Sequence, residues 1–150
     1  MVVYFMDTSA LGKRYMAEIG SAWIISLTLP VVSNRIVISD ITEVEVFSAI
    51  LRKLRAAQIS AADAAQRQTD FILDLDLQYL TIPVNGSVRK QARGLIAKYP
   101  LRALDAIQLA SAIEAVQQLA VGLIFVSADN ALLNAAVAEG LLVDNPLLHP

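Results

Sequence analysis

The 150-residue chain is 56% hydrophobic, carries a formal net charge of −2 at pH 7, lacks cysteine and has one histidine. Its length suits a single domain, residues 1–150, with a two-sided core, and the missing cysteines exclude a disulfide framework, a thiolate zinc site and a cysteine nucleophile. No apolar run approaches the roughly 18 residues of a membrane span and the N-terminus does not read as a signal peptide, so a cytoplasmic location is expected.

The chain opens with MVVYFMDTSAL, an apolar β-branched and aromatic run that stops at Asp7. Such a run suits a strand buried on both faces. Thr8 to Glu18 then reads as a helix broken at Gly20, and a second helix runs from about Ser21 to Leu29 and ends at Pro30. Arg35 to Ile38 reads as a strand. Ser39 is the expected N-cap of a long helix reaching about Ala57. The next helix starts after Ser60 and runs to Leu77, a third strand covers Tyr79 to Ile82, and a helix extends from Asn85 to about Tyr99. Leu101 to Leu119 is the strongest helical pattern, rich in alanine with mixed three- and four-residue apolar spacing. A fourth strand, Leu123 to Val126, a short helix to Ala138 and a fifth strand, Leu141 to Val143, complete the chain. Strands separated by helices without hairpin signals predict an α/β fold with a parallel sheet covered on both faces.

Asp7 and Asp129 each follow an apolar strand, and parallel strands present their C-terminal ends at one sheet edge, where ligand crevices form. Asp105 lies in the first turns of the alanine-rich helix, whose dipole favours a negative charge there. The helix after Ser39 carries both Glu43 and Glu45. About 200° separates them around the axis, so only one can face a common site. Glu45 shares a polar stripe with Ser48 and Arg52, whereas Glu43 has work at the helix start, and Glu45 is therefore preferred. Asp7, Glu45, Asp105 and Asp129 would together form an all-oxygen cluster whose mutual repulsion a hard divalent cation, Mg²⁺ or Mn²⁺, relieves. Such an ion activates water against a phosphodiester.

At this point MDTSAL, SDITEVEV, LRALDAIQLASA and FVSADNALLNAA, in that order and spacing, resemble the PIN-domain ribonucleases, in particular VapC-type toxins of toxin–antitoxin pairs. The resemblance implies a PIN-like parallel five-stranded sheet sandwiched between helices. It also implies a Mg²⁺- or Mn²⁺-dependent endoribonuclease, dimeric and held inactive by a small antitoxin protein. Asp7, Glu45, Asp105 and Asp129 would be its acidic metal site, with Ser9 and Ser127 as supporting polar residues. The sequence departs at Gln108, where many relatives have histidine.

Each acid has a plainer role open to it: Asp7 and Asp129 as helix caps, Asp105 as the partner of Arg102. Asp40, Asp63, Asp70, Asp74, Asp76, Glu114 and Glu139 read as caps or solvated faces, and His149 as a surface residue. All 12 Lys and Arg lie at or before Arg102, while five acids and no base follow it. Arg89 and Arg93, one turn apart, could lead through Arg102 to the acids as an RNA track, as could Lys13 and Arg14. Arg52, Lys53 and Arg55 read as a helix edge. The helix from Asp40 to Ala57 has apolar residues on two sides, more than one sheet covers, which predicts a partner protein or a second copy. Two other readings stand beside the nuclease. One is a haloacid-dehalogenase-type phosphatase, disfavoured because Ser9 stands where a second acid is needed. The other is a non-catalytic PIN-fold module binding RNA or protein.

Overall fold

The computed structural model describes residues 1–150. Its elements in chain order are β1 (Val3–Met6), α1 (Thr8–Tyr15), α2 (Ser21–Thr28), β2 (Arg35–Ser39), α3 (Ile41–Arg55), α4 (Ala61–Leu77), β3 (Tyr79–Ile82), α5 (Gly86–Lys98), α6 (Ala103–Leu119), β4 (Ile124–Val126), α7 (Asn130–Ala138) and β5 (Leu142–Asp144). Two 3₁₀ turns, Pro30–Val32 and Pro146–Leu148, are additional to the predicted elements. No helix is long and apolar enough to cross a membrane.

All four strand pairings are parallel, in the order β3-β2-β1-β4-β5. Alternation along β1 explains the two-sided core. Val3 and Phe5 join α5, α6 and α7 on one face, where Phe5 stacks on Phe125 with ring centroids 5.6 Å apart. Met6 points to the other face, among Leu11, Ile24, Val46, Ile50 and Phe71 from the first four helices. Because both faces are covered, the strands are nearly all apolar, which is why the sequence exposes them. The chain builds outward from β1 to β2 and β3, then returns to the opposite side for β4 and β5. The sheet therefore reverses direction at β1 and β4, and a crevice opens beyond their C-terminal ends.

Three expectations are corrected. Ser39 ends β2 and is fully buried, its hydroxyl accepting a 3.1 Å bond from Ser111, so it does not cap α3. Asp40 takes the cap position in helical geometry without a capping side-chain bond, and its Oδ2 accepts from the Val84 amide instead. Asp74 is buried rather than solvated. Its Oδ2 accepts from Arg14 Nε at 2.7 Å and Tyr15 Oη at 2.6 Å, and its Oδ1 from Gln78 Nε2 at 2.6 Å. His149 is half-buried rather than free on the surface, stacked on Trp23 at 4.0 Å between ring centroids and 2.8 Å from Asp144 Oδ1.

Gly20 shows why the break after α1 must be glycine. Its φ is +87°, and a Cβ there would collide with the carbonyl group of Pro146. The C-terminal 3₁₀ turn is packed onto the start of α2 through this contact.

Candidate active site

Asp7 and Asp129 occupy equivalent positions, each at a strand end and each capping the helix that follows. Asp7 Oδ1 accepts from the Ala10 amide at 2.9 Å and from Ser9 Oγ at 2.7 Å. Its Oδ2 accepts from Ser127 Oγ at 2.6 Å. Ser127 thus ties the end of β4 to the end of β1, reinforcing the backbone bond from Asp7 N to Val126 O. Ser9 adds a second tie by accepting from the Ala128 amide at 2.9 Å. Asp129 caps α7 through Oδ1 alone, at 2.8 Å from Ala131 N and 3.2 Å from Leu132 N.

Glu45 and Asp105 arrive from helices on opposite faces of the sheet. Asp105 sits in the first turn of α6 and makes no ion pair with Arg102. Glu45 Oε1 accepts from Thr8 Oγ1 at 2.8 Å and Gln108 Nε2 at 3.0 Å. Glu43 is exposed and absent from the cavity, whereas Glu45 lines it. All four acids line one cavity of about 330 Å³, together with Thr8, Ser9, Gln108 and Arg52.

The electrostatics follow from this enclosure. Burial is the chief reason the Asp7 carboxyl is pushed up to about 6, opposed by the bonds from Ser127, Ser9 and Ala10 and reinforced by Asp105. Asp105 is also raised, first by burial and then by the charge of Asp129, with Arg102 pulling the other way and Glu45 adding a further push. No three acidic or histidine side chains draw close enough to form a closed ion cage. The donor chemistry nevertheless fits a hard divalent cation: four carboxylates line one cavity, and oxygen is what such an ion binds. Asp7, Asp105 and Asp129, joined by Glu45, are the residues that could hold one.

The basic residues distribute differently from the expected RNA track. Arg14 turns inward to Asp74 and Thr28, and Lys13 is buried against Glu18 at 3.2 Å. Arg89 donates to the Val84 carbonyl, and neither it nor Arg93 or Arg102 lines the cavity. Arg52, assigned to a helix edge, does line it.

A PIN-domain family model matches residues 3–138. The chain belongs to the PIN-domain family. Solved structures share the fold at low sequence identity. VapBC2 from Rickettsia felis, bound to a promoter DNA fragment, has a TM-score of 0.64 at 13% identity, over 96% of this chain and 98% of that one. VapBC-1 from nontypeable Haemophilus influenzae has a TM-score of 0.62 at 14% identity, over 97% and 98%. The sarcin–ricin loop cleaving toxin VapC20 of Mycobacterium tuberculosis has a TM-score of 0.62 at 13% identity, over 93% and 96%. Among curated proteins no match was found.

Sequence reasoning noted Gln108 in this PIN domain only as a departure, yet its amide is the hub of the polar contacts around Glu45. Buried on α6, its Nε2 lies 3.1 Å from Thr8 Oγ1, 3.0 Å from Thr42 Oγ1 and 3.0 Å from Glu45 Oε1. Its carbonyl oxygen is buried without a partner. Turning the amide over would place that carbonyl against the Glu45 carboxylate, so charge fixes the orientation. Gln108 is a positioning residue that joins α6 to α3. Gln108→Leu leaves the buried Thr42 hydroxyl without a partner and takes a donor from Glu45, so it should cost about 1–3 kcal/mol of unfolding free energy, read as a lower urea midpoint. An unchanged midpoint would contradict this role.

Proposed function

We propose that this PIN domain is a Mg²⁺- or Mn²⁺-dependent endoribonuclease and the toxin of a type II toxin–antitoxin pair. The observation that carries the reading is one cavity at the sheet's reversal point lined by Asp7, Glu45, Asp105 and Asp129. A divalent ion bound there would supply Lewis acidity at the scissile phosphate and lower the pKa of the attacking water. Asp7, Asp105 and Asp129 would hold it, and Glu45 would complete the site or orient the nucleophile. Ser9 and Ser127 fix both oxygens of Asp7, while Thr8 and Gln108 fix Glu45. Water attacks phosphorus, the bond to the 3′-oxygen breaks and that oxygen takes up a proton, leaving a 5′-phosphate and a 3′-hydroxyl. The lone histidine does not line the cavity, so general acid–base chemistry by a histidine pair is unavailable.

The toxin reading draws support from solved relatives described as VapBC and toxin–antitoxin complexes, among them one from Klebsiella pneumoniae. Exposed apolar residues such as Val31, Val44, Leu73 and Leu77 are of the kind a small antitoxin or a second copy would cover. The RNA substrate, the homodimer and a cytoplasmic location belong to the same reading.

The test is cleavage of single-stranded RNA by the purified chain with Mg²⁺ or Mn²⁺, followed by chelation. Cleavage should fall at least about 100-fold on chelation, the scale of losing one preorganised charge stabiliser, and the product ends should carry 5′-phosphate. Undiminished cleavage in excess chelator would remove the mechanism.

A further inference from the structure

The acid cavity does not close beyond Glu45. It opens between α1 and α3 into a second cavity of about 310 Å³ that shares Met16, Glu18, Ala49 and Arg52 with the first and adds Lys53. Small side chains make the passage: Gly12 lines the first cavity, and Ala49 lines both.

The charge changes sign along this groove. Glu18, its one acid, is already shared by two lysines, Lys13 Nζ at 3.2 Å and Lys53 Nζ at 3.5 Å. Arg52 has neither an ion pair nor a side-chain hydrogen bond, although it borders the acid cavity, its annex and a third cavity beside Val44 and Leu104. Counting Arg52 and Lys53 against Glu18, the residues lining the annex hold one positive charge in excess, and Lys13 behind them already pairs with Glu18. Arg52 stands on the face of α3 that carries Glu45, seven residues and about 10 Å further along the axis.

We propose that Arg52, backed by Lys53, is a phosphate subsite that seats a backbone phosphate of the RNA strand beside the one being cut. The inference rests on the nuclease reading and gives it a direction: the strand leaves the acids along the groove between α1 and α3, not along α5. Two opposite fields side by side suit a polyanion whose scissile phosphate meets a cation held by the acids while a neighbouring phosphate meets a guanidinium. A guanidinium is matched to that task by its fork of donors. Phosphate contacts position a strand without reading its sequence.

The experiment measures binding of a fluorescein-labelled single-stranded RNA of mixed sequence to the full chain, in chelator, across a salt series. Cleavage kinetics in Mn²⁺ are measured in parallel. Arg52→Ala should weaken binding about tenfold and reduce the slope of log K against log salt by about 0.7, the value of one lost contact on a single strand. It should raise KM with kcat nearly unchanged, and Arg52→Lys should restore most of the slope. Lys90→Ala, which removes an equal charge from exposed α5, should leave both quantities as they are. An unchanged slope for Arg52→Ala, or an equal loss for Lys90→Ala, overturns the subsite. Cleavage by the wild type with an Arg52-independent slope overturns the subsite and leaves the nuclease reading intact. Arg52-dependent binding by a wild type that does not cleave in Mn²⁺ overturns the nuclease reading and leaves the phosphate site.

Discussion

Asp7→Asn should lose RNA cleavage by roughly 10³-fold, the upper range for removing a single charge stabiliser, while making the metal-free protein more stable above pH 6. Both effects come from the same carboxylate. Asparagine still accepts from Ala10 and Ser9 and can donate to Ser127, so the cap and the tie between β1 and β4 survive. What disappears is a buried negative charge. Burial raises the folded-state pKa of Asp7 to about 6 from 3.8, so its ionised form is disfavoured in the folded chain.

The sign follows directly. A carboxyl raised on folding binds more protons in the native state, so its contribution to stability is complete below pH 3.8 and is lost as pH rises through about 6. The full swing is on the order of 3 kcal/mol at 1.36 kcal/mol per unit, and roughly half of it returns on lowering the pH from 8 to 5. Asp105 is raised as well and adds in the same direction. Chemical denaturation in chelator between pH 5 and 8 should therefore show stability falling as pH rises in the wild type and a flatter profile in Asp7→Asn. Added Mg²⁺ or Mn²⁺ should stabilise the wild type more at pH 8 than at pH 5, since the ion binds the ionised acids. Coincident profiles for the two proteins would contradict the assignment of charge to Asp7.

Asp74→Ala should cost about 3–5 kcal/mol of stability, the range for leaving one member of a buried ion pair without its partner. Arg14 Nε lies 2.7 Å from Asp74 Oδ2, and the two side chains are 16% and 9% exposed. The Arg14 guanidinium also meets Thr28 Oγ1 at 2.6 Å, tying α1 to the end of α2. Asp74 further anchors Tyr15 and Tyr79, whose hydroxyls bond each other. Burial holds both phenols neutral by pushing their pKa values well above the usual tyrosine range, so they act only as hydrogen-bonding groups. The cost should appear as a lower urea midpoint. The double variant Arg14→Met with Asp74→Leu should recover most of it, because it removes both charges together. A single-variant loss below about 1 kcal/mol would show that water already screens the pair.

What the sequence revealed and what it hid divide along a physical line. The strands were legible because burial on both faces leaves unbroken apolar runs, as in VYFM and RIVI. Asp7, Asp105 and Asp129 were legible because strand ends and a helical first turn are positions a chain order exposes, and Glu45 because the helical period sets it on a polar stripe apart from Glu43. Asp74 and Gln108 were not, since each is defined by distant partners: Arg14 and Tyr15 for the first, Thr8, Thr42 and Glu45 for the second. Asp74 looked like one more acid on a polar helix until β3 and α1 closed over it. Ser39 misled for the opposite reason. It stands at the junction where a cap belongs, but the arrival of Ser111 from α6 claims its hydroxyl and leaves the cap position to Asp40. Arg52 was seen as an edge because the groove it borders exists only once α1 lies beside α3.

The capping duty of Asp7 and Asp129 constrains how such a chain could lose its chemistry over time. A descendant that lost the proposed cleavage would still favour a capping residue at positions 7 and 129 to start two helices, so asparagine, serine, threonine or glycine would be the mildest replacements there. Positions 45 and 105 carry no such obligation and would decay first. In an inactive copy, the strand-end acids or their short polar replacements would outlast the two helix-borne ones, so the letters at 45 and 105 report on activity better than those at 7 and 129.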